Sequence, residues 1–152
     1  MFAKILVPLD KSLLAESVLP HVISIAAATK GEVILLHVME EAPNERDAKP
    51  DVLDLHLRRA KAEAYLEDVA QRLEQKGVKA EGVVRAGKPA RQIVRFLHEE
   101  RCDLVVLASH GQSGLERWNL SGVVQKIIQV AKTSFLLVRA YHAVTREPRI
   151  GY

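Results

Sequence analysis

Apolar positions along the chain fall into two kinds of run. Ala3–Pro8, Val33–Val38, Leu104–Ala108 and Ser134–Arg139 are short, almost unbroken and rich in Val, Ile and Leu. Runs of this kind suit strands of a parallel sheet covered on both faces. Val78–Arg85 instead interleaves polar residues and carries Gly82, the pattern of an edge strand. Between these runs the apolar period lengthens to that of a helix. Leu14, Val18, Val22 and Ile25 form one stripe, predicting a helix over Ser12–Lys30 closed by Gly31 and kinked at Pro20, whose ring removes a backbone hydrogen bond. A long helix over Asp51–Lys76 places Ala62, Tyr65, Leu66, Val69, Ala70 and Leu73 on one face and stops at Gly77. Pro89 stands at a first helical position and opens a third helix through Arg101, and Asn119–Lys132 makes a fourth. Residues 40–50 read as a loop.

The order is therefore five strands alternating with four helices. That alternation predicts an α/β fold, an open five-stranded parallel sheet with helices on both faces and right-handed crossovers. In such sheets ligands bind beyond the carboxyl ends of the strands, where the strand order reverses. The segments that matter are then Pro8–Ser12, Val38 onward, and Ala108–Gly122.

Composition narrows the class. At 152 residues the chain has the length of one domain, and 48% hydrophobic against 27% charged residues is a globular balance. The single cysteine, Cys102, excludes an internal disulfide and a cysteine-built zinc site. No apolar run reaches the length of a membrane span, and the N-terminal run turns to Pro8-Leu9-Asp10 too soon for a signal peptide, so a cytoplasmic location is expected. The net charge of +3 comes from mixed basic and acidic residues without a Lys/Arg run, and the few aromatics are scattered, so nothing asks for a nucleic-acid partner.

Ala108-Ser-His-Gly-Gln-Ser-Gly114 carries the chemistry. Gly111 and Gly114 leave backbone amides uncovered, and the helix that follows brings a positive dipole end near Leu120-Ser121-Gly122, a favourable place for an anion. Asp10, at the end of the first strand, is placed to hold a ribose hydroxyl or face a cation; alternatively Asp10 or Ser12 caps the first helix. A hydrolase triad of Ser109, His110 and Asp10 is disfavoured, because adjacent residues at a strand end point in opposite directions and no G-x-S-x-G elbow is present. His98 and Cys102, at i and i+4, are too few for a metal site; His37 is expected to pack at the sheet and His56 to face solvent. No P-loop motif occurs.

At these residues the chain resembles the universal stress protein family. Ile5-Leu-Val-Pro-Leu-Asp-Lys-Ser12 resembles its opening strand and Asp-x-Ser turn, Glu32–Val38 its second strand, Gly87-Lys-Pro-Ala90 the start of its third helix, and Asp103–Gly111 its fourth strand and turn. The resemblance covers residues 3–139. It implies a Rossmann-like, adenine nucleotide alpha hydrolase-like fold, a single domain over 1–140, and a C-terminal tail over 141–152. Nucleotide-binding members resemble G-x2-G-x9-G-[S/T], where this chain has Ala108 for the first glycine, Gly111 for the second, and Ser121-Gly122 in reversed order; Gln112 stands where many members carry Arg or Lys. The resemblance implies that Pro8, Leu9 and Asp10 lie against adenosine and that Val38 offers backbone to adenine. Ala108, His110 and Gly111 would surround ribose and phosphates, and Ser121, Gly122 and Val123 the phosphate tail. ATP with Mg or Mn is the implied ligand, and a homodimer joined through strand five the implied assembly, in keeping with the apolar last strand. No acid, base or nucleophile for turnover is evident. The alternative is a member without nucleotide that acts as a protein-interaction module, which Ala108, Gln112 and Ser121 favour.

Overall fold

The computed structural model describes residues 1–40, 52–109 and 120–139, with residues 120 and 121 described by backbone alone. The tail over 141–152, most of the loop after Glu40, and the turn containing His110, Gly111 and Gln112 lie outside the described residues. The elements are β1 (Lys4–Pro8), α1 (Leu13–Glu16), α2 (Leu19–Thr29), β2 (Glu32–Met39), α3 (Val52–Glu74), β3 (Ala80–Ala86), α4 (Pro89–Glu99), β4 (Leu104–Ala108), α5 (Leu120–Val130) and β5 (Ser134–Val138). The strands form one parallel sheet in the order β3-β2-β1-β4-β5.

The two-residue period of the strands sorts the core into two layers. Ile5, Val7, Leu9, Val33, Leu35, Val106 and Ala108 meet α1, α2 and α3 on one face. Leu6, Ile34, Leu36, Val38, Val105 and Leu107 meet α4 and α5 on the other. Continuous apolar runs were required because β1, β2 and β4 are covered on both sides. The helical face expected of α3 is the one that is buried, with Ala62, Leu66, Val69, Ala70 and Leu73 inside and Tyr65 half-buried. Each buried leucine there contributes about 1.5–3 kcal/mol. β3 is an edge strand as its polar interleaving predicts, and β5 is the other edge, with Phe135 and Leu137 exposed rather than covered.

The expected single helix over Ser12–Lys30 is two helices. The chain leaves α1 at Ser17 and re-enters α2 at Leu19, so Pro20 lies in the first turn of α2 instead of kinking a longer helix. Proline is tolerated there because first-turn N–H groups have no intrahelical acceptor. The end of α2 also differs from expectation. Lys30 takes the left-handed cap conformation, at φ 54°, and Gly31 is needed because a Cβ there would collide with the Phe2 carbonyl. Across the bottom of the sheet Asp103 binds the opening of β1: its carboxylate accepts from the N–H groups of Ala3 (2.9 Å) and Lys4 (3.1 Å).

Gly82 is where α3 closes onto β3. A Cβ at this position would sit 2.6 Å from Cβ of Leu66, the rigid root of that side chain. Gly82→Ala is therefore expected to cost about 1–3 kcal/mol in urea denaturation. Gly77→Ala, at φ 79° but with open space around it, is expected to cost only about 1 kcal/mol. The reverse order would show that the helix–strand approach does not demand glycine.

Candidate functional site

The strand order reverses between β1 and β4. From β1 the chain steps outward to β2 and β3 with α1–α3 on one face, then crosses to β4 and β5 with α4 and α5 on the other. A crevice at the carboxyl ends of the two central strands is the geometric consequence. The backbone opens it further. β1 pairs with β2 from Lys4–Glu32 through Pro8–Leu36, whereas its pairing with β4 covers Ile5–Leu104 and Leu6–Val105 and stops. The N–H of Leu9 donates to Leu36 O (2.8 Å), toward β2. Alternation along the strand therefore turns the nitrogen of Pro8 toward β4, where proline has no hydrogen to give.

The next three residues form the floor. Asp10 is 6% exposed, and its Oδ1 accepts from the N–H of Ser12 (2.9 Å). Lys11 between them is held at φ 68°, a left-handed conformation that costs a non-glycine residue about 1–2 kcal/mol. Ser12 caps α1, its hydroxyl oxygen accepting from the N–H of Ala15 (3.0 Å). Of the two residues proposed as a cap, Ser12 is the cap, which leaves Asp10 available. Its other oxygen, Oδ2, is buried and has no hydrogen-bond partner among the described residues. Such an oxygen costs about 1–3 kcal/mol unless a donor reaches it. A hydroxyl or amino group entering the crevice would supply that donor.

His37 supports this turn from β2. Its Nδ1 lies 2.7 Å from the carbonyl oxygen of Leu9. A carbonyl only accepts, so Nδ1 carries the hydrogen. Burial holds the imidazole pKa below its usual 6.5, opposed by the bond to Leu9; Lys11 and Arg58 push it down further and Asp10 pushes it up. The expectation that His37 packs at the sheet holds, but its bond to the end of β1 was missed. The available signal was one polar residue inside the run Val33–Val38.

The remaining site residues divide between the layers. Leu9 and Ala108 lie in the core on the α1–α3 side, and Val38 and Val123 in the core on the α4–α5 side. Pro8 is buried at the end of β1, and Gly122 is exposed in the first turn of α5. Ser121 is in that same turn. The positive dipole end of this turn favours an anion. His110 and Gly111 lie outside the described residues.

A second network escaped the sequence reading because its members are far apart in the chain. Glu16, the last residue of α1, accepts from the Tyr65 hydroxyl (3.0 Å) and from Arg72, both on α3. It ties the short helix that follows the Asp10 turn onto α3. His98 is exposed, while Cys102 is buried beyond the end of α4, where burial pushes its thiol up to about 11. Among the described residues no group of three or more His, Cys, Asp or Glu is placed to share a metal ion, and no helix is long and apolar enough to cross a membrane.

Comparison with known proteins identifies a family. The model of the universal stress protein family matches residues 1–139. A universal stress protein of Methanocaldococcus jannaschii is 29% identical over 91% of this chain and 96% of its own length. Two solved structures share the fold. A universal stress protein in complex with cAMP has a TM-score of 0.69 at 22% identity, covering 91% of this chain and 98% of its own. A family member from Arabidopsis thaliana with AMP bound has a TM-score of 0.68 at 19% identity, covering 96% and 97%.

The state of His37 is measurable. Because its pKa is lowered on folding, its contribution to stability is complete above pH 6.5 and is lost as pH falls below that value toward the folded-state pKa. Wild type is thus expected to lose more stability than His37→Asn between pH 7.5 and 5.5 in urea denaturation. Equal losses would contradict the neutral, desolvated ring.

Proposed function

We propose a function from the premise that this chain belongs to the universal stress protein family: the crevice between β1 and β4 binds an adenine nucleotide, ATP in the first instance. The protein would then act as a cytoplasmic, nucleotide-responsive regulatory module, with turnover slow or absent. The observation that carries this reading is the buried Oδ2 of Asp10, without a hydrogen-bond partner among the described residues, at the point where the strand order reverses. A ribose hydroxyl is a donor of the right kind for it. AMP and cAMP in the two structural neighbours support the adenine class.

In this reading Pro8 and Leu9 flank the adenosine, Asp10 holds the ribose, and backbone at Val38 meets the adenine edge. Ala108, His110 and Gly111 line the path to the phosphates. The first turn of α5, with Ser121, Gly122 and Val123, receives the phosphate tail through its N–H groups, which do not depend on side-chain identity. Mg²⁺ or Mn²⁺ would be held chiefly by the phosphates themselves, as Mg²⁺ commonly is.

The same reading includes a homodimer through β5. This edge carries exposed Phe135 and Leu137, with exposed Ile128 and Val130 on the neighbouring α5. The opposite edge is protected differently: β3 and the residue before it bear Lys79, Glu81 and Arg85, and Arg59 of α3 donates to the Val84 carbonyl (3.5 Å). Charged side chains and a covered edge discourage pairing there, while an apolar edge invites it.

Calorimetric titration with Mg-ATP, ADP and AMP is expected to show micromolar binding, which Asp10→Ala weakens roughly tenfold to a hundredfold. At a hundredfold excess over Kd the ligand adds about 2.7 kcal/mol of stability. No heat and no melting shift at millimolar nucleotide, from protein free of carried-over nucleotide, would leave the interaction-module reading in its place. For the assembly, light scattering at micromolar concentration is expected to give a dimer, and Leu137→Lys a folded monomer. A monomeric wild type would remove strand five as the interface.

A further inference from the structure

We propose that His37 is the positioning residue of this crevice: its Nδ1–H fixes the Leu9 carbonyl and thereby sets where the Asp10 carboxyl presents its second oxygen. The inference deepens the nucleotide reading and rests on it for the consequence in binding, though not for the contact itself.

The end of β1 is held unequally on its two sides. On the β4 side Pro8 offers no hydrogen, and the pairing with β4 ends at Leu6–Val105. On the β2 side the N–H of Leu9 still reaches Leu36 O. In a continuing parallel ladder the Leu9 carbonyl would accept from the β2 backbone as well. Instead the His37 ring takes it, at 2.7 Å. The ring therefore substitutes for a ladder bond at the residue where the chain must leave the sheet and turn. Leu9 is thus held at both of its backbone groups, and the next residue is Asp10.

Beyond it the order propagates in single steps: Ser12 N–H to Asp10 Oδ1, then Ala15 N–H to the Ser12 hydroxyl. Lys11 sits between at φ 68°, a strained conformation that persists only when its neighbours fix it. Without the His37 contact the Leu9 carbonyl loses this donor, and the strained conformation at Lys11 is less firmly held. The imidazole is itself buried at 8% exposure, so it cannot swing away without leaving a void.

Two substitutions separate this role from simple packing. His37→Phe keeps a ring of similar size without the donor. His37→Asn places its amide nitrogen where Nδ1 stands, restoring the donor while removing the ring and its titration. In nucleotide-free, ¹⁵N-labelled protein at pH 7.5, His37 is expected to show the Nδ1-protonated tautomer. The amide of Ser12 is expected to exchange roughly tenfold faster in His37→Phe, the loss of one hydrogen bond, and to return toward wild type in His37→Asn. Nucleotide affinity should follow the same order. An Nε2-protonated tautomer, or Ser12 exchange that is unchanged in His37→Phe or equally fast in both variants, would overturn the proposal. If wild type bound no nucleotide, the function proposed above would fall, and the tautomer and exchange would still decide the role of His37. If His37→Phe did not fold, the tautomer together with His37→Asn would decide it.

Discussion

A proline near the end of the central strand withdraws one hydrogen-bond donor from the middle of the sheet, and the candidate site is organised around that missing bond. β1 is shared by both halves of the fold, yet it is joined to β4 over only two residue pairs. Everything past Leu6 on that side is released from the ladder. The chain just beyond Pro8 is held from β2, by Leu36 and by His37. A parallel sheet normally pairs its backbone polar groups; here the topology and one proline interrupt that pairing where two helix layers part.

The site is therefore a property of the sheet more than of any motif. Its floor, from Asp10 to Ser12, uses ordinary devices: a side-chain bond two residues along, a left-handed residue and a serine cap. What sets it apart is the one carboxyl oxygen those devices leave over. Around it the supporting contacts are distant in sequence. Glu16 is secured by Tyr65 and Arg72 from α3, so the helix that grows out of the floor is fixed by side chains fifty residues away. The layer on the opposite face supplies Val38 and Val123, which belong to one buried cluster.

Much of the fold was legible because its signals are local. Unbroken apolar runs mark strands that are covered twice; Pro89 at the first position of α4 and Gly77 just past α3 mark helix boundaries; polar interleaving marks β3 as an edge. The Asp10 turn was legible too, since a strand that ends in Pro-Leu-Asp-x-Ser offers a carboxyl and a cap in one place. What was misjudged depends on contacts that sequence periodicity does not encode. The stripe Leu14, Val18, Val22 and Ile25 continues through the break at Ser17 and Val18, because Val18 is buried whether or not it is helical. Gly31 looked like a helix stop and is a point of contact with Phe2. The ring of His37 meets Leu9 only once two strands are side by side.

The arrangement of β1 also has a bearing on synthesis. Its first neighbour, β2, follows after the two helices α1 and α2, but its second neighbour and the carboxylate of Asp103 that binds Ala3 and Lys4 lie about a hundred positions later. At roughly 5–20 residues per second, the ribosome takes on the order of 5–20 s to deliver them. Through that interval one side of this apolar central strand has no partner, and the nascent chain must be kept from pairing with others. The strand that later frames the crevice is thus the one that waits longest for its second neighbour.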